Sequence, residues 1–282
     1  MKKSEEIRQI VRRTYGQAAG QINQALSAGA SCCGPSPEPA QAGTASCGCG
    51  GNNLDPDQVS QLLGYSKTDL ASVPKGANLG LGCGNPKAIA GIKAGETVVD
   101  LGSGGGFDCF LAAGRVGPDG RVIGVDMTPE MVSRARLNKD KTGADNVEFR
   151  LGEIEHLPMA DSSADLIISN CVINLSPEKD KVYAEAFRVL KPGGRIAVSD
   201  IVAFSPLPTD IQQDLAAISA CIGGAATINE TEAMLAQAGF TDIVVTPKKI
   251  DPELVDACLP GTRAADYVTS GEITALKPLS LG

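Results

Sequence analysis

The stretch VVDLGSGGGFD, residues 98–108, decides the fold. VVDL has the composition of a short buried strand, and the glycines from Gly102 to Gly106 separate it from a segment with helical periodicity. Glycines permit a tight turn and let a ligand approach bare backbone. We therefore interpret this stretch as a strand, a ligand-binding turn and a helix, which together begin a βαβ unit.

Strand-like and helix-like patterns alternate downstream of this turn. Such alternation predicts an α/β fold with a doubly wound, mostly parallel sheet. We predict strands at 97–101, 122–126, 147–150, 165–169 and 195–200, helices at 107–115, 129–141, 177–190 and 231–238, and two late strands at 242–250 and 267–276.

The N-terminal part of the chain differs in character from the βαβ region. Residues 4–26 predict a helix, and a short helical connection follows at 54–74. Residues 27–53 between them are rich in Gly, Pro, Ser and Ala and contain four cysteines, so they predict a flexible Cys-rich arm rather than core. We divide the chain into this N-terminal part (1–74), a Rossmann-like domain (75–204) and a C-terminal region (205–282) that carries an insertion.

Composition and charge limit the partners of the protein. The chain has 282 residues, of which 43% are hydrophobic, and its formal net charge is −8. A negative surface repels nucleic-acid phosphates and anionic membranes, so we expect neither as a partner. No stretch approaches the roughly 18 apolar residues of a spanning helix, and the charged start lacks an apolar signal region. We expect a cytoplasmic protein.

The nine cysteines need an explanation in a reducing compartment. Such a compartment disfavours a disulfide framework, and the odd number argues the same way. Cys109 is most simply a core residue at the start of a sheet-packing helix. Cys47 and Cys49 fit either a redox pair or a metal-scavenging tail, and Cys258 has no assigned role.

A cofactor site is predicted by the spacing around the glycine turn. Asp126 ends the next predicted strand, about 20 residues after Gly106. A carboxylate at this position can accept hydrogen bonds from both hydroxyls of a bound ribose. A dinucleotide-binding G-x-G-x-x-G motif would require a third glycine at Phe107, and the observed spacing is D-x-G-x-G-x-G from Asp100. S-adenosylmethionine has no pyrophosphate, and its cationic amino-acid end suits Asp100.

The turn, with Asp126 after it, resembles class I S-adenosylmethionine-dependent methyltransferases over residues 75–250. The resemblance implies that Gly102, Ser103 and Gly104 line the methionine moiety and that Asp126 holds the ribose. It further implies adenine contacts from Met127, Glu153 and Ile154. The predicted cofactor-binding set is Asp100, Gly102, Ser103, Gly104, Gly106, Asp126, Met127, Glu153, Ile154 and Asn170.

Three cysteines outside the arm are candidates for substrate binding: Cys83 in LGCGNP, Cys171 in SNCVINL and Cys221 in CIGGA. Their spacing contains no short C-x-x-C zinc motif, so they can meet only through the fold. Cys171 follows the fourth predicted strand, at the sheet edge where substrates of such folds bind.

These three segments together resemble the arsenite methyltransferase family. The resemblance implies that Cys83, Cys171 and Cys221 bind As(III), as arsenite or as a methylated trivalent arsenical. It also implies that Cys32 or Cys33 joins a disulfide relay, which an external thiol reductant of the glutathione or thioredoxin type would reset. Ala220 replaces a carboxylate of eukaryotic members, and Leu81 and Gly82 stand where an aromatic residue is expected near Cys83.

Arsenic chemistry agrees with the scarcity of general bases. Trivalent arsenic is soft and binds three thiolates in a pyramid, which leaves a lone pair as the nucleophile. Oxygen and many carbon acceptors need a base, usually His or a carboxylate. The one histidine, His156, is interpreted as a surface loop residue or a neighbour of the adenine. The alternatives are a small-molecule C- or O-methyltransferase of the quinone-biosynthesis type and a non-enzymatic soft-metal-binding protein.

Overall fold

The fold is centred on one seven-stranded sheet with the order β3-β2-β1-β4-β5-β7-β6. The computed structural model describes residues 2–28, 55–82, 84–85, 91–249, 255 and 259–279. Strands β1 to β5 are parallel to one another, and β7 lies antiparallel between β5 and β6. The strands are β1 Thr97–Leu101, β2 Arg121–Asp126, β3 Val147–Leu151, β4 Ala164–Asn170, β5 Leu190–Ala203, β6 Thr241–Lys248 and β7 Val268–Leu276.

Helices cover both faces of this sheet. They are α1 Lys2–Ala28, α2 Pro56–Leu62, α3 Lys67–Ala71, α4 Phe107–Val116, α5 Pro129–Thr142, α6 Lys179–Val189, α7 Thr209–Gln213, α8 Leu215–Ser219 and α9 Ile228–Ala238, with 3₁₀ turns at Ile173–Leu175 and Ala264–Asp266. None of the helices in the described part of the chain combines the length and the hydrophobicity that crossing a lipid bilayer requires.

Alternate residues of the strands pack into separate cores on the two faces. Val98 belongs to a cluster with Cys109 and Val132, from α4 and α5, whereas Val99 belongs to a cluster with Val182 of α6. Each side chain of this size contributes about 1.5–3 kcal/mol when it is buried. A period of two residues with both faces apolar is what a doubly covered parallel sheet requires.

A third apolar cluster lies beyond the carboxyl ends of β4 and β5. It joins Val11 of α1 to Leu175, Ile201 and the two cysteines Cys171 and Cys221. Helix α1 therefore packs over this end of the sheet, where parallel α/β folds bind their ligands.

The α/β prediction and its parallel sheet are confirmed. The largest difference is the fifth strand, which was predicted at 195–200 but spans Leu190–Ala203. Its C-terminal extension pairs with β7 as far as Ala203↔Val268, and such long-range pairing leaves no local signal in the sequence. The insertion after β5 contains α7 and α8, and the predicted Cys-rich arm lies outside the described residues.

Candidate active site

A cavity lies at the carboxyl ends of the central strands. Asp100 of β1, Asp126 of β2 and Asn170 of β4 line it, as do Val11 and Tyr15 of α1. The topology accounts for this convergence, because parallel strands all end at the same edge of the sheet.

The glycine turn forms one wall of the cavity. Gly102 has φ +71°, and a Cβ atom at this position would lie 2.4 Å from Cγ2 of Val172. The N–H groups of Gly102 and Ser103 donate to the carbonyl of Val125 over 2.7 and 3.1 Å, which ties the turn to β2. Glycine is thus required at 102 both by backbone conformation and by contact.

Ser103 indicates that this wall binds a polar ligand. Within the described residues, its Oγ is a buried side-chain oxygen without a hydrogen-bond partner. Buried polar atoms in native proteins are usually satisfied, so an unsatisfied one in a cavity wall suits a ligand atom. The chemistry of this wall therefore fits the methionine part of S-adenosylmethionine.

Asp126 holds the other side of the glycine turn. Its Oδ2 accepts the N–H of Gly104 at 2.9 Å and its Oδ1 accepts the N–H of Thr128 at 2.8 Å. Burial raises the pKa of the Asp126 carboxyl, and these two backbone hydrogen bonds oppose that effect. Met127 and Ile154 line the cavity beside it, so this region fits a ribose and an adenine.

Two predicted cofactor residues do not line the cavity. Glu153 forms an ion pair with Arg12 of α1 instead, and its other oxygen is 3.9 Å from Nε of Arg8. Gly106 precedes α4 with φ +91°, and a Cβ atom there would lie 2.7 Å from the ring of Phe149. The ion pairs of Glu153 depend on α1 folding back over the sheet, which the local sequence does not reveal.

Two buried carboxylates face the end of the cavity near α4. Asp108, in the first turn of α4, accepts the Tyr65 hydroxyl at 2.7 Å and Nδ2 of Asn170 at 3.3 Å. Asp100 accepts the thiol of Cys109 at 3.2 Å. Burial and the nearby Asp108 raise the pKa of Asp100 well above its ordinary value.

Cys171 and Cys221 meet on the α1 side of the cavity. The Cys221 thiol donates to the carbonyl of Cys171 over 2.7 Å. The two residues are 5% and 3% exposed, and Cys171 lines the cavity. Both have left-handed backbone, with φ +58° at Cys171 and +63° at Cys221. Non-glycine residues adopt this conformation at a cost, and such positions cluster at functional sites.

The structure describes some of the predicted cysteines but not all of them. Cys109 is free and buried in the core, as predicted. Cys171 is disulfide-bonded. The predicted Cys83, Cys32 and Cys33 lie outside the described residues, and within the described part of the chain no group of three metal-ligating side chains is present.

The neighbours of position 83 do belong to the described structure. A Cβ atom on Gly82 would lie 2.6 Å from Nδ2 of Asn170, and one on Gly84 would lie 2.6 Å from Oγ of Ser199. Asn170 precedes Cys171, and the Ser199 carbonyl accepts the Cys171 N–H at 2.8 Å. The two glycines therefore pack directly against the residues that surround Cys171.

Sequence reasoning missed a buried polar network between β5 and the 3₁₀ turn Ile173–Leu175. Asp200 of β5 accepts Nδ2 of Asn174 at 2.9 Å and the N–H of Ile201 at 2.8 Å. Burial raises the pKa of Asp200 to about 6. The sequence signal that could have identified Asp200 is an acidic residue at the end of a predicted apolar strand. For Tyr65 and Arg8, which also line the cavity, the sequence has no such signal. His156 is exposed and lies outside the cavity wall, in agreement with its surface interpretation.

The strand order, the glycine turn after β1 and the carboxylate at the end of β2 define a class I methyltransferase. The family model described as "Methyltransferase domain" matches residues 92–239. Its match begins just before β1 and ends at the residue after α9, so it covers most of the sheet but neither α1 nor β6 and β7.

Relatives identify the family within this class. An arsenite methyltransferase of Halobacterium salinarum is 49% identical over 97% of this chain and 67% of its own length. An arsenite methyltransferase of Aquipseudomonas alcaligenes is 45% identical, but the match covers 57% of this chain and about half, 48%, of that protein. The chain belongs to the arsenite methyltransferase family.

A solved structure extends the likeness to three dimensions. The crystal structure of an arsenic(III) S-adenosylmethionine methyltransferase from Chlamydomonas reinhardtii matches with a TM-score of 0.59 and 36% identity. The match covers 81% of this chain and 76% of that one, so it extends beyond the 92–239 segment.

Proposed function

We propose that this protein transfers the methyl group of S-adenosylmethionine to trivalent arsenic, arsenite or a methylated trivalent arsenical, bound by Cys83, Cys171 and Cys221. The observation that carries the proposal is the meeting of Cys171 and Cys221 beside a cavity that the glycine turn also lines. A methyl donor and a soft thiol ligand set would thus share one cavity. A quinone-type methyltransferase has no use for this pair of cysteines, so that alternative is not favoured.

Cys83 is the proposed third arsenic ligand. Its chain neighbours Gly82 and Gly84 both belong to the described structure. Both glycines pack against neighbours of Cys171. Chain connectivity therefore supports Cys83 in preference to a cysteine of the arm.

The thiols perform most of the chemistry. Three thiolates bind As(III) as a pyramid and leave its lone pair free, so no side chain has to remove a proton. S-adenosylmethionine, when bound, supplies an electrophilic methyl group. Asp126 and the glycine turn hold the adenosine and methionine parts, and Val11 and Leu175 exclude water from the thiol side.

A reductant is required for turnover under this proposal. Cys171 is disulfide-bonded, so its thiol must be released by reduction before it can bind arsenic. Methyl transfer also leaves arsenic formally pentavalent, and two electrons must return before a trivalent product can leave. We propose that an external thiol of the glutathione or thioredoxin type supplies them in the cytoplasm, where such thiols are kept reduced.

Product speciation tests the proposed function directly. The protein is incubated with arsenite, excess thiol and S-adenosylmethionine carrying a labelled methyl group, and the products are separated by chromatography. We expect label in methylated arsenicals. Label that appears only in an added quinol or phenol acceptor would overturn the assignment in favour of the quinone-type alternative.

The role proposed for the arm is tested with two substrates. We predict that replacing Cys32 and Cys33 together by Ser abolishes methylation of arsenite but spares methylation of a monomethylated trivalent arsenical. A Gly- and Pro-rich segment can bring these thiols to the site and deliver electrons by disulfide formation. Rates are measured for both substrates with excess reductant. Equal arsenite turnover by variant and parent would remove the arm from the mechanism.

A further inference from the structure

The segments SNCVINL and CIGGA contact each other at two points. The first point is the hydrogen bond from the Cys221 thiol to the carbonyl of Cys171. The second point lies further along both segments, where a Cβ atom on Gly224 would lie 2.1 Å from the carbonyl oxygen of Asn174. Asn174 is therefore the residue on which the segment that carries Cys221 rests, beyond the contact between the two cysteines themselves.

The side chain of Asn174 binds the SNCVINL segment to β5. Its Nδ2 donates to Oδ1 of Asp200 at 2.9 Å and to the carbonyl of Ile201 at 2.6 Å. Its backbone N–H donates to Oδ2 of Asp200 at 3.2 Å. Asn174 and Asp200 are 6% and 2% exposed. Because both are buried, removal of one partner leaves the other without a hydrogen bond, which is costly.

The carboxyl end of β5 anchors both segments. The carbonyl of Ser199 accepts the N–H of Cys171 at 2.8 Å. The N–H of Ala203 donates to the carbonyl of Ala226, just after the CIGGA segment, at 2.9 Å. The two residues of β5 that bind Asn174 lie between these anchors, so β5 serves as the common support for both cysteine-bearing segments.

The two cysteines need this support because of their backbone conformations. Both have positive φ angles, at +58° and +63°. Non-glycine residues remain in this region only where the surrounding structure fixes them. A ligand that is bound by several thiols at once also requires a fixed separation between those thiols.

We propose that Asn174 is a positioning residue of the arsenic site, which sets the separation of the Cys171 and Cys221 thiols by holding one segment on β5 and supporting the other. The inference rests on the proposed function for the identity of the ligand. Asn174 does not line the cavity that the described residues form. It therefore acts through the two cysteines and not on the substrate.

Gly224 provides the same contact from the other segment. The backbone of Asn174 is held by its hydrogen bonds to β5, so it cannot easily move away from a methyl group on residue 224. We expect Gly224→Ala to push the CIGGA segment outward while the hydrogen bonds of Asn174 remain. The two substitutions thus disturb one contact by independent routes.

The test measures arsenite binding by the fully reduced protein. Asn174→Leu keeps the branched shape of the side chain and removes its donors. We expect arsenite affinity to fall about 10- to 100-fold, as the loss of buried hydrogen-bond partners predicts. X-ray absorption should find fewer than three sulfur neighbours around the bound arsenic, with oxygen in place of the lost sulfur. Affinity for S-adenosylmethionine should equal that of the parent, which also shows that the variant is folded.

Asn146→Leu is the matched control. The Nδ2 of Asn146 also donates to two acceptors, the carbonyls of Ala113 and Gly117 at 3.2 and 2.9 Å. Asn146 directly precedes β3 and so lies at the end of the sheet opposite the cavity. Its replacement should lower the melting temperature but leave arsenite affinity and three sulfur neighbours as in the parent. Gly224→Ala should reproduce the arsenite defect of Asn174→Leu.

Parental arsenite affinity and sulfur count in Asn174→Leu would overturn the inference, as would an equal loss of arsenite affinity in Asn146→Leu. If Asn174→Leu does not bind S-adenosylmethionine, Gly224→Ala decides, and parental arsenite binding by that variant would overturn the inference.

The inference and the proposed function can fail separately. If the parent binds arsenite through three sulfur atoms in a manner that depends on Asn174 but does not methylate it, the proposed function fails and this inference stands. If the parent methylates arsenite and Asn174→Leu binds it as tightly as the parent does, the inference alone fails.

Discussion

The two walls of the cavity are built in different ways. The cofactor wall is local: Gly102, Ser103 and Gly104 are consecutive, and Asp126 reaches them from the adjacent strand through one backbone hydrogen bond. The thiol wall is assembled over a distance, because Cys171 and Cys221 are 50 residues apart and meet only where α8 returns to the end of β4.

This difference corresponds to two tasks, holding the cofactor and binding the methyl acceptor. A turn between a strand and a helix, followed by a carboxylate on the next strand, serves any methyl acceptor. The thiol wall is the proposed binding site of the acceptor, and its two cysteines have left-handed backbone conformations. Changes to the thiol wall should therefore abolish the reaction while leaving the cofactor bound, and changes to the cofactor wall should weaken the cofactor itself.

The largest expected effect belongs to Cys221→Ser. Serine oxygen is a hard ligand for soft arsenic, and loss of one of three ligands lets the lone pair move out of line with the methyl group. A misplacement of about 1 Å costs on the order of a hundredfold in rate. We expect the rate of arsenite methylation to fall at least that far, while calorimetry shows unchanged S-adenosylmethionine affinity.

Cys109→Ser provides the matched control for this change. It removes a free, buried thiol that lies in the core behind the cofactor wall rather than at the thiol wall. Arsenite binding by this variant should equal that of the parent. Arsenite turnover by Cys221→Ser within a few-fold of the parent would contradict the division between the two walls.

Gly102→Ala tests the contact between the two walls, where Gly102 of the cofactor wall lies against Val172, the residue after Cys171. The left-handed conformation costs alanine about 1–2 kcal/mol, and the new Cβ would lie 2.4 Å from the side chain of Val172, next to Cys171. We expect S-adenosylmethionine to bind roughly tenfold more weakly or worse, and arsenite binding to weaken as well because Val172 must move.

Gly114→Ala in α4 is the control for this substitution. A Cβ atom there has no atom within 4 Å, and alanine favours a helix by about 1 kcal/mol over glycine. Its melting temperature should equal or exceed that of the parent, with both ligands bound normally. Full cofactor affinity in Gly102→Ala would show that the turn does not approach the cofactor.

The smallest effect is expected at Glu153. Its ion pairs with α1 are partly exposed, and such pairs are worth about 0.2–1 kcal/mol. We predict that Glu153→Gln lowers stability by no more than that, as measured by urea unfolding, and changes cofactor affinity less than twofold. A tenfold loss of affinity would support the adenine contact that the family resemblance implies.

The sequence alone predicts those features of the fold and site that depend on residues close together along the chain. The βαβ order, the glycine turn and Asp126 follow from periodicity and spacing, and the structure has them as expected. The C-terminal end of β5 was missed because it depends on pairing with β7, which is far away in sequence.

The rest of the site depends on tertiary packing. Asp108 accepts hydrogen bonds from Tyr65 and Asn170, which lie in separate segments of the chain. The meeting of Cys171 with Cys221 could be nominated only through a family resemblance, since neither residue carries a local signal of left-handed backbone. Positions like these become visible only when the fold brings distant segments together.

The most direct test of the account is the number of sulfur neighbours of bound arsenic. X-ray absorption spectroscopy on the fully reduced protein with one equivalent of arsenite measures this number. We predict three sulfur neighbours in the parent, and two with one oxygen in Cys221→Ser. Two sulfur neighbours in the parent, or three in the variant, would contradict the proposed three-thiol site.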